Sequence, residues 1–210
     1  MVRALAVFDM DETLINSDFI WLESAVSFMK EKGIPMDVDV ENLFYEKGFG
    51  AVVSLIRECI PSMSEEDVFS SLSVIAEEGY RTEATIKEGA FELIGKMRSL
   101  GYVPVILTAN NPRLSKIIRE RFDFPVDRWF STRELGIGKG DVHVYDLIAS
   151  SYGLRAEDTV LFDDGEYALK AALEGGLKAI RVYSRKEASR SEVKCPTLME
   201  LTDFRTEMLS

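Results

Sequence analysis

The sequence predicts an α/β fold, in which a parallel β-sheet with helices on both faces is interrupted by an all-helical insert. Two observations support this fold class. Short apolar runs alternate with amphipathic helical patterns, which is typical of a parallel sheet. Residues 18–87 break the alternation, because they contain helical patterns but no convincing strand. We therefore predict an α/β core at 1–17 and 88–210 and a helical domain at 18–87.

Four apolar runs are the predicted strands of the sheet, and a fifth run is a weaker candidate. The runs are short and rich in Val, Ile and Leu, as in strands that are covered on both faces. Pro104 should lie at the start of its strand, because proline cannot donate a ladder hydrogen bond. The predicted strands are 4–8, 102–108, 159–162 and 177–183, with 128–133 as the weaker candidate.

Apolar residues at spacings of three and four predict the helices. In the core these patterns centre on 91–97, 114–122, 144–148 and 166–176. The insert carries three such patterns, separated by turns that contain Gly or Pro. Their apolar faces are Phe19, Leu22, Val26 and Met29; then Val52, Leu55, Ile56 and Ile60; then Val68, Leu72 and Ile75.

The composition excludes several classes of partner. The 210 residues have a net charge of −11, so the surface should repel nucleic acid and anionic membranes. Cys59 and Cys195 lie far apart, which favours reduced thiols over a disulfide or a zinc site. No run approaches the roughly 18 apolar residues of a membrane span, and residues 2–8 are too short for a signal peptide. We expect a cytoplasmic protein, either a monomer or a homodimer.

Acidic and small polar residues follow the predicted strands, and a lysine lies in the glycine-bracketed turn GIGKGD. Because the carboxyl ends of parallel strands meet at one edge of a sheet, these residues should converge there. They are Asp9 and Asp11 after the first strand, Thr108, Ala109 and Asn110 at the second, Lys139 in the turn, and Asp163 and Asp164 after the fourth.

This combination of residue types points to phosphoryl chemistry at a magnesium ion. Mg²⁺ prefers hard oxygen ligands, which carboxylates from two strand ends supply. The ion would offset a repulsion of roughly 4 kcal/mol between unit charges ~4 Å apart at an effective dielectric of about 20. One carboxylate can attack phosphorus and another can act as general acid and base, while Thr108 and Lys139 hold the phosphoryl oxygens.

In their order along the chain, these residues resemble the four motifs of the haloacid dehalogenase superfamily of phosphohydrolases. Asp9-x-Asp11-x-Thr13 is similar to the first motif, Thr108 to the second, Lys139 to the third and Asp163-Asp164 to the fourth. The helical insert is similar to the cap of the branch that includes phosphoglycolate phosphatase and β-phosphoglucomutase. The resemblance implies a Rossmann-like catalytic core and a cap domain.

The resemblance also implies a role for each residue. Asp9 would be the nucleophile and a metal ligand, and Asp11 the general acid and base with its backbone carbonyl on Mg²⁺. Asp164 would be the third protein ligand of the metal, and Asp163 would hold a metal-bound water. Phosphate would bind to Thr108, Ala109, Asn110 and Lys139.

Three residues depart from the pattern of that branch. Glu12 stands where glycine is usual, which would narrow the entrance to the site. Ala168 stands where a second aspartate is common, so Asp163 is expected to substitute for it. Gly140 replaces a proline, which should loosen the turn after Lys139.

Several functions remain open. The leading hypothesis is a Mg²⁺-dependent phosphatase that acts on a small phosphorylated metabolite, with Lys47, Gly48, Gly50 and Arg57 as candidate specificity residues. A sugar phosphomutase would use the same catalytic residues. A non-catalytic phosphate- or partner-binding relative is a third reading. A signalling receiver domain is disfavoured, because its phosphorylated aspartate follows the third strand and it lacks a helical insert.

Overall fold

Residues 4–182, 197–199, 204 and 209 are described by the structure, which is a computed structural model. The chain divides into two units: a helical unit, Ser17–Ala84, and a larger unit formed by the chain on either side of it. The predicted insert, 18–87, begins one residue later and ends three residues later. Its role as a cap stays a prediction.

A six-stranded parallel sheet forms the centre of the larger unit, as the alternating pattern predicts. Its strands are β1 (Ala4–Phe8), β4 (Tyr102–Thr108), β5 (Arg128–Ser131), β6 (Thr159–Asp163), β7 (Lys178–Val182) and β8 (Thr197–Met199). Their order across the sheet is β5-β4-β1-β6-β7-β8. The three residues of β8 were not predicted. The weaker candidate, 128–133, ends as a strand at Ser131, because the chain then turns into a short helix.

Pro104 lies at the third position of β4, where we expected it at the start. It pairs with Ala6 of β1 on one side. On the other side β5 begins its pairing only at Val105, opposite Arg128. The missing N–H of Pro104 therefore interrupts no hydrogen bond to β5, which explains how a proline fits inside a central strand.

Two further strands, β2 (Ile15–Asn16) and β3 (Thr85–Ile86), pair antiparallel to each other. They are the last residues before the helical unit and the first residues after it. The Asn16 side chain also donates to Thr85 Oγ1 at 3.0 Å. The prediction of no strand within 18–87 is therefore wrong at Thr85–Ile86, because a two-residue strand is too short to leave a pattern.

The helical unit consists of four helices among the residues that the structure describes. Other helices, which belong to the larger unit, surround the sheet. Among those that the structure describes, none has the length and apolar character that crossing a membrane requires. The helical unit holds α1 (Asp18–Glu31), α2 (Val40–Lys47), α3 (Phe49–Cys59) and α4 (Glu65–Thr82). The larger unit holds α5 (Ala90–Ser99), α6 (Pro112–Phe122), α7 (Thr132–Leu135), α8 (His143–Ser151) and α9 (Glu166–Glu174).

The central strands are buried on both faces, as their continuous apolar runs predict. On one face, Leu5 and Val7 of β1 join the core cluster that contains Val144 of α8 and Leu169 of α9. Successive side chains of a strand point to opposite faces, so Ala6 and Phe8 face the other way. There the rings of Phe8 and Phe162 stack with centroids 4.7 Å apart.

The core of the helical unit is built around Trp21. Its indole N–H donates to the hydroxyl of the buried Tyr80 at 2.8 Å, and the rings of Phe49 and Phe69 lie 5.1 and 5.3 Å from it. The predicted apolar face of α1 is partly wrong, because α1 is apolar on more than one side. Its buried apolar residues are Ile20, Trp21, Ala25, Phe28 and Met29, whereas Phe19, Leu22 and Val26 are half-buried and line an open groove.

Gly79 of α4 packs against Ile20 of α1. A Cβ atom at this position would lie 2.7 Å from Cγ2 and 3.1 Å from Cγ1 of Ile20. Ile20 is buried and β-branched, so its side chain has little freedom to move away. Gly95 in α5 offers a contrast: outside its own helix, no described atom lies within 4 Å of a Cβ placed there.

We predict that Gly79→Ala and Gly95→Ala change stability in opposite directions. Both substitutions gain up to about 1 kcal/mol of helix propensity. At Gly79 the overlap with Ile20 should outweigh this gain and lower the free energy of unfolding by about 1–3 kcal/mol. Urea unfolding followed by circular dichroism measures both variants. A Gly79→Ala protein as stable as Gly95→Ala would contradict the close approach of α1 and α4.

Candidate active site

The register of β1 and β6 places two aspartates side by side at the carboxyl edge of the sheet. Phe8 pairs with Phe162, and the backbone N–H of Asp9 donates to the carbonyl of Phe162 at 2.8 Å. Asp9 therefore leaves β1 beside Asp163, the last residue of β6. Asp9, Asp163 and the half-buried Asp164 each offer a carboxylate oxygen within 4.8 Å of the others.

Lys139 completes this cluster. The side chain is buried, with 4% of the residue exposed, and its ammonium group contacts Oδ1 of Asp9 and lies 3.0 Å from Oδ2 of Asp163. Its backbone carbonyl accepts a hydrogen bond from the Tyr145 hydroxyl at 2.9 Å. Tyr145 is buried in the core between the sheet and α8, so the core itself anchors the turn that carries Lys139.

Burial and the neighbouring charges shift the pKa values of the groups in this cluster. Burial raises the pKa of Asp163 to about 6, against the opposing effect of Lys139. Burial also raises the pKa of Asp164 well above its usual value, and Asp9 and Asp163 raise it further. Burial lowers the pKa of Lys139, but Asp163 and Asp9 raise it by more, so the ammonium form is strongly favoured. Three carboxyl groups and one ammonium group suit a divalent cation with oxygen ligands.

Asp11 lies beside this cluster and is oriented by Asn110. Oδ2 of the half-buried Asp11 accepts a hydrogen bond from the Asn110 side chain at 2.7 Å. Asn110 is itself fixed, because its backbone N–H donates to Thr108 Oγ1 at 3.1 Å and its carbonyl accepts from Ser131 Oγ at 2.7 Å. The side chain of Asn110, which we predicted to bind phosphate, thus contacts the predicted general acid and base.

The structure brings together most of the predicted site residues in the larger unit. Thr108 is buried at the end of β4, and Ala109 is exposed in the loop that follows. Ala168 lies in the apolar core, which explains why no second aspartate stands there. Glu12, at the position where glycine was expected, has a φ of 56° in the left-handed region. Lys47 and Arg57 are exposed on the helical unit, where their role in specificity stays a prediction.

Three residues around the site were missed by sequence reasoning. Tyr145 and Ser131 hold the two loops that carry Lys139 and Asn110. Lys87, which we had assigned to the helical domain, lies in the larger unit and contacts Glu12. None of the three has a local signal. Lys87 lies 75 positions from Glu12 and Ser131 lies 21 positions from Asn110. Tyr145 is near Lys139 in sequence, but its partner is a backbone carbonyl, which no residue pattern indicates.

The sheet and the site together define an enzyme with a Rossmann-like core and its polar residues at the carboxyl ends of the strands. A family model sharpens this assignment: the haloacid dehalogenase-like hydrolases match residues 4–176. The chain therefore belongs to this family, and the resemblance noted in its motifs is confirmed.

Two related proteins and one solved structure span nearly the whole chain. The GMP/IMP nucleotidase YrfG of Escherichia coli (strain K12) is 25% identical over 204 residues, covering 95% of this chain and 91% of the relative. The validoxylamine A 7'-phosphate phosphatase of Streptomyces hygroscopicus subsp. limoneus is 21% identical, covering 96% and 95%. The structure of CbbY from Rhodobacter sphaeroides, in complex with phosphate, shares the fold with a TM-score of 0.77 at 14% identity, covering 100% and 99%.

We predict that Lys139→Met destabilises the protein and that Mg²⁺ restores part of the loss. Without its ammonium group, Asp9 and Asp163 are left as buried carboxylates, and the free energy of unfolding should fall by about 3–5 kcal/mol in the presence of a chelator. The matched control is Lys116→Met, since this exposed lysine forms an ion pair with the exposed Glu120 at 3.7 Å; its effect should be below about 1 kcal/mol. Equal effects of the two substitutions in urea unfolding would refute the prediction.

Proposed function

We propose that this protein is a Mg²⁺-dependent phosphatase that hydrolyses a small phosphorylated metabolite through an aspartyl-phosphate intermediate. The observation that carries the proposal is the buried Asp9 carboxylate, held by Lys139 and flanked by Asp163 and Asp164. Family membership supports hydrolysis. The names of the two relatives support a phosphate monoester as substrate, either a purine nucleoside monophosphate or the phosphate of a sugar-like alcohol.

The residues present fit a magnesium ion. Asp9, Asp164 and the backbone carbonyl of Asp11 would hold it, and Asp163 would hold a metal-bound water. When bound, Mg²⁺ would neutralise the excess negative charge and polarise the phosphoryl oxygens. Both oxygens of Asp163 already accept hydrogen bonds, from Lys139 at 3.0 Å and from the Gly165 N–H at 2.8 Å. This supports the proposal that Asp163 would hold a metal-bound water, whereas Asp164 would bind the metal directly.

In the first step, an oxygen of Asp9 attacks phosphorus and the bond from phosphorus to the leaving oxygen breaks. Lys139 fixes the orientation of the attacking carboxylate through its contact with Oδ1. Asp11 transfers its proton to the leaving oxygen, so the product departs as a neutral alcohol. Asn110 holds Oδ2 of Asp11, which orients the carboxyl group for this transfer.

In the second step, water attacks the phosphorus of the aspartyl-phosphate and the bond to Asp9 breaks. Asp11, now ionised, accepts the proton of the attacking water and returns to its starting state. Lys139 and the loop after Thr108 bind the phosphoryl oxygens through both steps. We propose that the helical unit is a cap that excludes bulk water during these steps.

We predict that Asp9→Asn abolishes phosphate release. The assay uses p-nitrophenyl phosphate, GMP, IMP and several sugar phosphates, with Mg²⁺ or with a chelator. Loss of the nucleophile should lower kcat by about 10³-fold or more, and Asp146→Asn, which changes an exposed aspartate of α8, should not. Transfer of phosphate between positions of a sugar, with no release, would favour a phosphomutase instead. Binding of Mg²⁺ without turnover of any compound would favour a non-catalytic relative.

We predict that Asp11→Asn discriminates between leaving groups. An alkoxide leaves slowly without a proton, whereas the p-nitrophenolate anion leaves readily without one. The substitution should therefore slow hydrolysis of an alkyl phosphate by at least about tenfold more than formation of the aspartyl-phosphate from p-nitrophenyl phosphate. Burst kinetics with both compounds measure the difference. An equal loss for the two leaving groups would exclude Asp11 as the general acid.

A further inference from the structure

The loop between β1 and β2 carries a residue in an unfavourable conformation. Glu12 has a φ of 56°, and among the described residues other than glycine only Asp123 shares a positive φ. The loop folds around the carbonyl of Met10, which accepts hydrogen bonds from the N–H groups of Leu14 at 2.8 Å and Ile15 at 3.0 Å. A non-glycine residue adopts this conformation only where neighbouring contacts hold it there.

Lys87 supplies such contacts at three points of the loop. Its backbone N–H donates to the carbonyl of Leu14 at 2.9 Å, as a continuation of the β2–β3 ladder. Its ammonium group donates to the backbone carbonyl of Glu12. The same group lies 3.4 Å from Oε2 of Glu12. One residue thus binds the main chain on both sides of Thr13 and the side chain of the strained residue.

These contacts differ from an ordinary surface ion pair. The side chains of Lys87 and Glu12 are only 15% and 24% exposed. An ion pair between exposed side chains constrains little, but a bond to the Glu12 carbonyl constrains the backbone itself. Asp11 directly precedes Glu12, so the backbone that Lys87 constrains also sets the position of the Asp11 carboxyl group.

We propose that Lys87 is a positioning residue: it holds Glu12 in the left-handed conformation and so keeps Asp11 in place for proton transfer. As a statement about catalysis, this rests on the function proposed above. The contacts of Lys87 described above are with the loop, and its charge also opposes the rise in the pKa of Asp164. The positioning effect passes through Glu12, so the need for Lys87 should depend in part on which residue stands at position 12.

The test is a double-mutant cycle that combines Lys87→Met with Glu12→Gly. In the parent protein, Lys87→Met should lower kcat by about 10- to 100-fold, because small misplacements of catalytic groups have effects of this size, and should leave KM within about twofold. Glycine adopts a positive φ without strain. In the Glu12→Gly background, Lys87→Met should therefore cost less than about threefold in kcat, a coupling that only contacting residues show. Lys87→Arg should retain most of the turnover.

Three results would overturn the proposal. Equal losses of kcat in the two backgrounds would mean that Lys87 acts independently of Glu12. A raised KM with an unchanged kcat would mean that Lys87 binds substrate directly. No loss in either background would mean that the loop needs no support.

A second comparison covers the case in which Lys87→Met does not fold. Glu12→Ala removes the carboxylate and keeps the unfavourable φ, whereas Glu12→Gly removes both. We expect a lower kcat in Glu12→Ala than in Glu12→Gly, and equal values would overturn the proposal.

Amide hydrogen exchange separates this proposal from the proposed function. Lys87→Met should speed exchange of the Leu14 and Ile15 N–H groups, and should do so less in the Glu12→Gly background. This readout needs no substrate, so it remains valid if the protein releases phosphate from no compound. Exchange that is equally fast in both backgrounds would overturn the positioning role alone.

Discussion

The rest of the site depends on one buried ion cluster, in which Lys139 lies between Asp9 and Asp163. Buried charges are tolerated only when they are paired and held by further hydrogen bonds. Lys139 meets this requirement through two carboxylates at its ammonium group and through Tyr145 at its carbonyl. The core cluster that buries Tyr145 thereby helps to set the geometry of the candidate active site, so packing of the core and arrangement of the site are linked.

Two sets of contacts hold Asp11, which lies two residues after Asp9 of this cluster. On one side, Thr108, Asn110 and Ser131 form a hydrogen-bonded chain that ends on Asp11. On the other, the loop after β1 carries Asp11 in its backbone and includes a residue with an unfavourable φ. Asp11 is thus positioned both through its side chain and through its main chain. The role in proton transfer that we propose for Asp11 would need this degree of constraint.

The sequence predicted the elements with strong local signals. The runs of β1, β4 and β6 are largely apolar, and their polar ends identify the edge where the candidate site lies. The run of β7 is apolar except at Lys178 and Arg181. It did not predict α2, in which only Val40 and Phe44 are buried among eight residues. It also missed Lys87, whose partner Glu12 lies far away along the chain, and Tyr145, whose partner is the backbone carbonyl of Lys139. Local patterns therefore indicate the candidate reactive residues, whereas the residues that hold them become visible only in three dimensions.

The β2–β3 ladder has a consequence for how this chain changes over evolutionary time. Because Ile15 pairs with Ile86 and Asn16 with Thr85, the helical unit leaves and rejoins the core at neighbouring points. Insertions with adjacent ends disturb a host fold least. The 68 residues from Ser17 to Ala84 can therefore diverge, lengthen or be exchanged for another module while the register of the sheet and its acidic edge stay the same. With the cap role that we propose for the helical unit, substrate choice and reaction chemistry can then evolve as separate traits of a single gene product.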